Sequence, residues 1–186
     1  MSKGTLLVIS GPSGVGKGTI VAEILKSRKA ALSVSCTTRA PREGEVDGKS
    51  YFFLTKERFI RLIEENGFLE YSMHFDNYYG TPRKFVEDKL KEGDVILEID
   101  VDGALNVKKA YPDAVLVMIA PPDRQTLLTR LRGRGTEDEE VIERRVQRAD
   151  YELSKSPQYD YVIINDDLGK AVGQVIAILE KGDIKK

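Results

Sequence analysis

Cysteine and histidine each occur once in this chain, and no long hydrophobic run is present. A lone thiol, Cys36, excludes an intrachain disulfide framework and fits a reducing interior. No activating pattern surrounds it, so its simplest reading is a small side chain at the end of a strand. His74 has no second imidazole or thiol at ligand spacing, and no metal site is expected there. The apolar run in MSKGTLLVIS is too short for the core of a signal peptide, and AVLVMIA at 114–120 falls far short of a membrane span. We therefore expect a cytoplasmic protein. Neither sign of charge is in excess: 29 Lys and Arg stand against 30 Asp and Glu. Nothing in that balance suggests a nucleic-acid or membrane-surface binder. Internal repeats, low-complexity stretches and long linkers are also missing.

What is there reads as a globular α/β protein. With 186 residues, 41% hydrophobic and 32% charged, the chain can bury one substantial core and carry small appended lobes. Residues 5–10, 32–35, 95–100, 114–120 and 161–165 are short apolar runs rich in β-branched residues. Near-continuous apolar runs suit strands covered on both faces, which means a parallel sheet of five strands. Helical patterns at 17–28, 83–91, 103–110, 123–131, 138–154 and 168–181 separate them, the alternation of a doubly wound sheet.

Two segments interrupt that alternation. Within 36–82, an Asp47-Gly48 turn precedes the strand YFFL, and Thr55 can cap a helix that carries Phe59, Ile60 and Ile63 on one side. Asn66-Gly67 ends that helix. FLEYSMHF at 68–75 then alternates, with Leu69, Tyr71, Met73 and Phe75 facing one way and Glu70, Ser72 and His74 the other. This predicts a mixed-sheet lobe with a polar face open to a ligand. Within 124–148 lie seven of the thirteen arginines and no lysine. Glycines flank a charged stretch there, as in a mobile lid; a solvated helical hairpin is the competing reading. The expected organisation is thus core at 1–35, lobe at 36–82, core at 83–123, lid at 124–148 and core at 149–186.

The most specific signal is GPSGVGKGT, between a buried strand and a helix. Gly11, Gly14 and Gly16 let backbone N–H groups approach phosphate oxygens, with Pro12, Ser13 and Val15 completing the turn. The helix N-terminus adds partial positive charge and Lys17 a full one, so a nucleoside triphosphate is expected here. Gly18 stands where such loops usually place a Ser or Thr that holds magnesium; the hydroxyl has moved to Thr19. Magnesium would then be held largely by phosphates and water, since it dehydrates reluctantly.

A second constellation is SCTTRAPREGEVDGKSYFF at 35–53. Arg39 and Arg42, with the phenols of Tyr51 and Tyr79, can bind a second phosphate. This stretch, with NYYGT at 77–81, EIDVDG at 98–103, RGRGTEDEE at 132–140 and INDDL at 164–168, resembles guanylate kinases over nearly the whole chain. The resemblance implies phosphoryl transfer from ATP to GMP. It implies that Ser35, Arg39, Arg42, Tyr51, Glu70, Tyr79, Thr81 and Asp100 surround GMP. It further implies that Arg134 and Arg145 reach the transferring phosphates, and that Asn165, followed by Asp166, lies near the adenine. Departures are Gly18, Asp102 where an amide is expected, and Glu98 where many relatives carry Asp.

Residue chemistry fits the implication. Guanine presents N1–H and N2–H₂ as adjacent donors that match a carboxylate such as Glu70, whereas adenine offers an acceptor at N1. Ile142, Val146, Ala149 and Leu153 form an apolar helical stripe, which Arg145 borders while Arg144 lies nearly opposite. Lys17, Arg42, Arg134 and Arg145 would be the catalytic cations, with Mg²⁺ as cofactor and Asp100 organising its water or capping the strand end. A ribose-bisphosphate kinase on the same scaffold and a non-catalytic phosphopeptide-binding module remain as alternatives at this point.

Overall fold

The computed structural model describes residues 4–74, 76–133 and 138–184, side chains at 74 and 182–184 excepted. The first strand, β1 (Leu6–Ser10), is buried along its whole length. Alternate side chains serve opposite faces of the sheet, as strand geometry requires. Leu7 and Ile9 pack with Ile20 and Ile24 of α1 (Lys17–Ser27) and with Val175 and Leu179 of α7 (Leu168–Ile184). Leu6 and Val8 pack with Val86 and Leu90 of α3 (Arg83–Leu90) and with Ala104 and Val107 of α4 (Val101–Ala110).

Four more strands complete the core sheet: β2 (Ala30–Leu32), β7 (Asp94–Glu98), β8 (Val115–Ala120) and β9 (Tyr161–Ile164). Their order is β2-β7-β1-β8-β9, and every pairing is parallel. The five-stranded parallel α/β core expected from the apolar runs is therefore present. Its second strand was expected at 32–35 and instead occupies Ala30–Leu32. Ser33 still donates its backbone N–H to Ile96 at 2.9 Å, but the chain then leaves the edge for the second sheet. A buried tie anchors this edge: Asp94 accepts from the Thr5 backbone at 2.8 Å and from Arg28 Nε and Nη2 at 3.1 and 2.9 Å.

The second sheet is mixed, in the order β4-β3-β6-β5. It comprises β3 (Cys36–Thr37), β4 (Phe52–Phe53), β5 (Phe68–His74) and β6 (Asn77–Pro82). Thr55 Oγ1 accepts from the Arg58 backbone at 3.2 Å and so caps α2 (Lys56–Glu64) as expected. Asn66 takes a left-handed φ of 51° where α2 ends. The buried face of α2 differs from expectation. Phe59, Leu62 and Ile63 pack inward while Ile60 is exposed; the spacing 59, 62, 63 keeps one helical face, and residue 60 turns off it.

The alternation expected along β5 is also broken. A bulge between Phe68 and Glu70 shifts the register, adding one residue on the β5 side. Phe68 consequently stacks on Phe59, with ring centroids 4.3 Å apart. Leu69 enters the core with Val86 and Leu90. Tyr71 and Met73, expected beside it, are 46% and 58% exposed. Phe75 lies outside the described residues.

After β8 come α5 (Arg124–Arg132) and α6 (Glu139–Leu153), then a 3₁₀ turn at Ser156–Gln158 before β9. On α6, Ile142, Val146 and Ala149 are buried as expected, but Glu152 rather than Leu153 continues the stripe inward. Among the described residues, no helix is long and apolar enough to cross a membrane.

Candidate active site

The glycine loop sits between β1 and α1, with φ of 137° at Gly11, 87° at Gly14 and 94° at Gly16. Only glycine adopts such angles without strain. Gly11 has a packing reason as well: a Cβ there would lie 2.1 Å from the Ile119 carbonyl oxygen on β8. Val15 is fully buried, so its side chain pins the loop to the core. Lys17 folds over the turn, its Nζ donating to the Gly11 and Pro12 carbonyls at 2.6 and 3.0 Å. Gly18 and Thr19 are exposed on the first turn of α1.

A cleft of about 470 Å³ opens beside this loop. On one side it is lined by Gly11, Ser13 and Lys17, and on the other by Ser35, Arg42, Tyr51, Glu70 and Tyr79. Two groups of residues distant in sequence thus face the same space. Glu70 is buried, and its Oε1 accepts from Thr81 Oγ1 at 2.6 Å. Thr81 itself is fully enclosed behind the carboxylate; it orients Glu70 rather than lining the cleft.

Arg39 does not line the cleft. Its Nη2 donates to both Glu45 oxygens at 2.8 and 3.0 Å, and its guanidinium lies 5.5 Å from the Tyr51 ring centre. The hydrogen bond to Glu45 raises its pKa further above the ordinary arginine value. Glu45 also accepts from the Arg42 backbone at 2.7 Å, so one carboxylate organises the turn that presents Arg42. The Arg39 hydrogen bond, followed by that of Arg42, lowers the Glu45 carboxyl pKa. Sequence reasoning missed Glu45, because an irregular loop carries no periodicity to mark it.

Asp100 caps α4, accepting from the Gly103 backbone at 2.7 Å. It lines the cleft from a helix N-terminus rather than from a strand end, since β7 stops at Glu98. Glu98, Ile99, Ser72 and Glu152 also line the cleft, and none was assigned a role from sequence. Desolvation raises the Glu98 carboxyl pKa, although the side chain keeps contact with solvent, and the Lys17 charge opposes the rise. Burial raises Glu152 likewise, opposed by its hydrogen bond from Arg148 Nε at 3.1 Å. Glu152 was readable: it stands three residues after Ala149, on the inward face.

Asp102 turns away from the cleft. It accepts from Arg148 Nη2 at 2.7 Å and from the Tyr151 hydroxyl at 3.2 Å, joining α4 to α6. Arg145 is half-buried with its Nη1 enclosed, whereas Arg144 is exposed, as the wheel geometry predicts. Arg145 nevertheless does not reach the cleft lining. Arg134 and the side chain of His74 lie outside the described residues. Asn165 Nδ2 donates to the Val15 carbonyl at 2.7 Å, and a Cβ on Gly16 would lie 2.7 Å from that nitrogen. The amide thus braces the glycine loop from the end of β9, beside exposed Asp166.

For a divalent cation, no three carboxylate, imidazole or thiolate groups converge among the described residues. The carboxylates of Glu98 and Asp100 line the same cleft as Lys17, and carboxylate oxygen is the hard donor type that could take part in holding magnesium.

Comparison with known proteins finds relatives over nearly the whole length of the chain. The sequence model of the family described as Guanylate kinase matches residues 3–182. A guanylate kinase of Caldanaerobacter subterraneus subsp. tengcongensis is 51% identical over 179 residues, covering 95% of this chain and 87% of the relative. One from Prochlorococcus marinus (strain NATL2A) is 48% identical, covering 94% and 95%. The crystal structure of a guanylate kinase from Anaplasma phagocytophilum superposes with a TM-score of 0.78 at 35% identity, covering 97% of this chain and 86% of that one.

Proposed function

Since the chain belongs to the guanylate kinase family, we propose that its cleft holds ATP on the glycine loop and GMP against the second sheet. The protein catalyses ATP + GMP ⇌ ADP + GDP. One observation carries the assignment of residues: Lys17 and Gly11 face Glu70, Arg42 and Tyr79 across a single cavity.

The acceptor is already an anion, so the reaction needs no general base. Catalysis consists of alignment and charge stabilisation along an in-line path. Backbone amides of residues 11–19 cradle the ATP phosphates, and Lys17 exchanges its two carbonyl contacts for phosphate oxygens. Asn165 keeps the loop rigid near the adenine, with Asp166 beside it. Arg42, Arg39, Tyr51 and Tyr79 take the GMP phosphate, Arg39 after release or adjustment of its Glu45 pair. Glu70, held by Thr81, accepts the two guanine donors, with Ser35 and Asp100 completing the site. Bound Mg²⁺ would screen charge between the crowded phosphates, held by them and by water beside Asp100. Arg134 and Arg145 belong to the segment 124–148, which closes as a lid, while 36–82 closes as the GMP lobe and the remainder stays as the core. Such closure excludes water and limits wasteful ATP hydrolysis. The lone buried thiol fits a cytoplasmic setting.

An acceptor screen with ATP and Mg²⁺ tests this reading through coupled ADP release. GMP is expected to be turned over, dGMP less efficiently, and AMP, UMP and ribose bisphosphate not at all. Preference for ribose bisphosphate, or phosphopeptide binding without ATP turnover, would overturn it.

A further inference from the structure

Tyr159 lines neither wall of the cleft, yet its hydroxyl joins the elements behind both. The residue follows the 3₁₀ turn that leads into β9. Its hydroxyl is hydrogen-bonded to Ser10 Oγ and stands 3.5 Å from the Val101 carbonyl oxygen, to which it donates. Ser10 is the last residue of β1, and Gly11 after it lines the cleft. Val101 is the first residue of α4, and Asp100 before it lines the cleft. That first turn of α4 also meets the acceptor side, since a Cβ on Gly103 would lie 3.1 Å from Glu70 Oε2. A phenol has one proton, so with it directed at Val101 the Ser10 hydroxyl donates to the phenol oxygen. Ser10 is fully buried, and solvent does not compete for this link.

The phenol is itself held firmly. Its ring packs on the cluster that contains Leu6, Val8 and Ala104. The Tyr159 backbone N–H donates to Ser156 at 3.1 Å. The next residue, Asp160, accepts from the Leu116 backbone at 2.8 Å and from Lys108 Nζ of α4 at 2.9 Å. Burial raises the phenol pKa to about 12, so it stays protonated at neutral pH.

We propose that Tyr159 is a positioning residue for phosphoryl transfer, its hydroxyl setting the spacing between the glycine loop and the first turn of α4. The proposal rests on the assignment of ATP to that loop and of GMP to the second sheet. Each nucleotide is held by groups on its own wall, so the strut matters little to either alone. In-line transfer needs reacting atoms about 3–3.5 Å apart, and that depends on how the two walls stand to each other.

Steady-state kinetics with both nucleotides varied, together with calorimetric titration, tests the strut. For Tyr159→Phe, kcat is expected to fall roughly 3- to 30-fold, short of the loss of about 100-fold that a 1 Å misplacement can bring. KM for GMP and the affinity for ATP alone should stay within twofold. Ser10→Ala breaks the same link and should lower kcat by a similar factor, with the double variant losing little more. It also carries the comparison if the phenylalanine variant does not fold. Adenosine and guanosine joined through five phosphates form a probe that spans both walls, and its Kd should rise in step with the loss of kcat. A merely structural hydroxyl would lower Tm and leave kcat per folded enzyme unchanged. A kcat within threefold of wild type in either folded single variant, losses that multiply in the double variant, or weakening of either nucleotide alone that matches the fall in kcat would overturn the proposal. Wild-type protein that transfers no phosphoryl group to GMP would instead overturn the assignment beneath it.

Discussion

Replacing Glu70 with glutamine removes a charge while keeping volume and shape, and the structure allows its effect to be worked out. Oε1 is engaged by Thr81 Oγ1 at 2.6 Å. Oε2 points toward α4, 3.1 Å from where a Cβ on Gly103 would stand. Guanine approaching this carboxylate presents two donors, N1–H and N2–H₂. With glutamine, one orientation keeps the Thr81 bond and sets an NH₂ against those donors. The other orientation accepts from guanine with a neutral oxygen and turns the amide nitrogen toward the Thr81 hydroxyl. Either way an ionised acceptor is lost from a buried site. Hydrogen bonds to charged groups contribute about 1.5–3 kcal/mol, so kcat/KM for GMP should fall roughly 10- to 150-fold. Affinity for ATP should stay within about twofold, because the glycine loop is untouched. Steady-state kinetics with GMP varied, together with ATP titration, checks both arms. A GMP efficiency within threefold of wild type, or parallel losses for both nucleotides, would refute the reasoning.

Gly103→Ala leaves Glu70 in place and crowds it. The new Cβ would stand 3.1 Å from Glu70 Oε2 and 3.2 Å from Asp100 Oδ1, so KM for GMP should rise several-fold with ATP affinity unchanged in the same assays. Asp94→Ala leaves the Arg28 guanidinium and the Thr5 N–H without their shared buried carboxylate. A cost of about 3 kcal/mol is expected, seen as a fall of roughly 6–12 °C in Tm by calorimetry for a chain of this size. Burial pushes the Cys36 thiol up from 9.0 to about 11. The unfolded chain therefore loses this proton first, and stability should decline as pH rises from 9 to 11. Urea midpoints measured across that range should fall less steeply in Cys36→Ala, and thiol-reagent labelling at pH 8 should be slow until urea is added.

The sequence by itself determined the glycine loop of this protein. GPSGVGKGT between a buried strand and a helix can fold in few ways, because glycine angles and a helix N-terminus are local properties that adjacent residues settle. The five parallel strands were legible for a related reason: strands buried on both faces must be apolar throughout. The inward edge of α6 was half legible; Arg145 and Arg144 parted as periodicity required, but Glu152 took the place given to Leu153. The tertiary structure decided the rest. The bulge at Leu69 depends on contacts from α3 and α4, which strand alternation cannot encode. Glu45 holds Arg39 across an irregular loop, and Asn165 braces Val15 from a segment that the topology alone brings near. Local geometry is written in neighbouring residues, whereas a side chain's partner across the fold is fixed only when burial removes the water that would otherwise serve in its place.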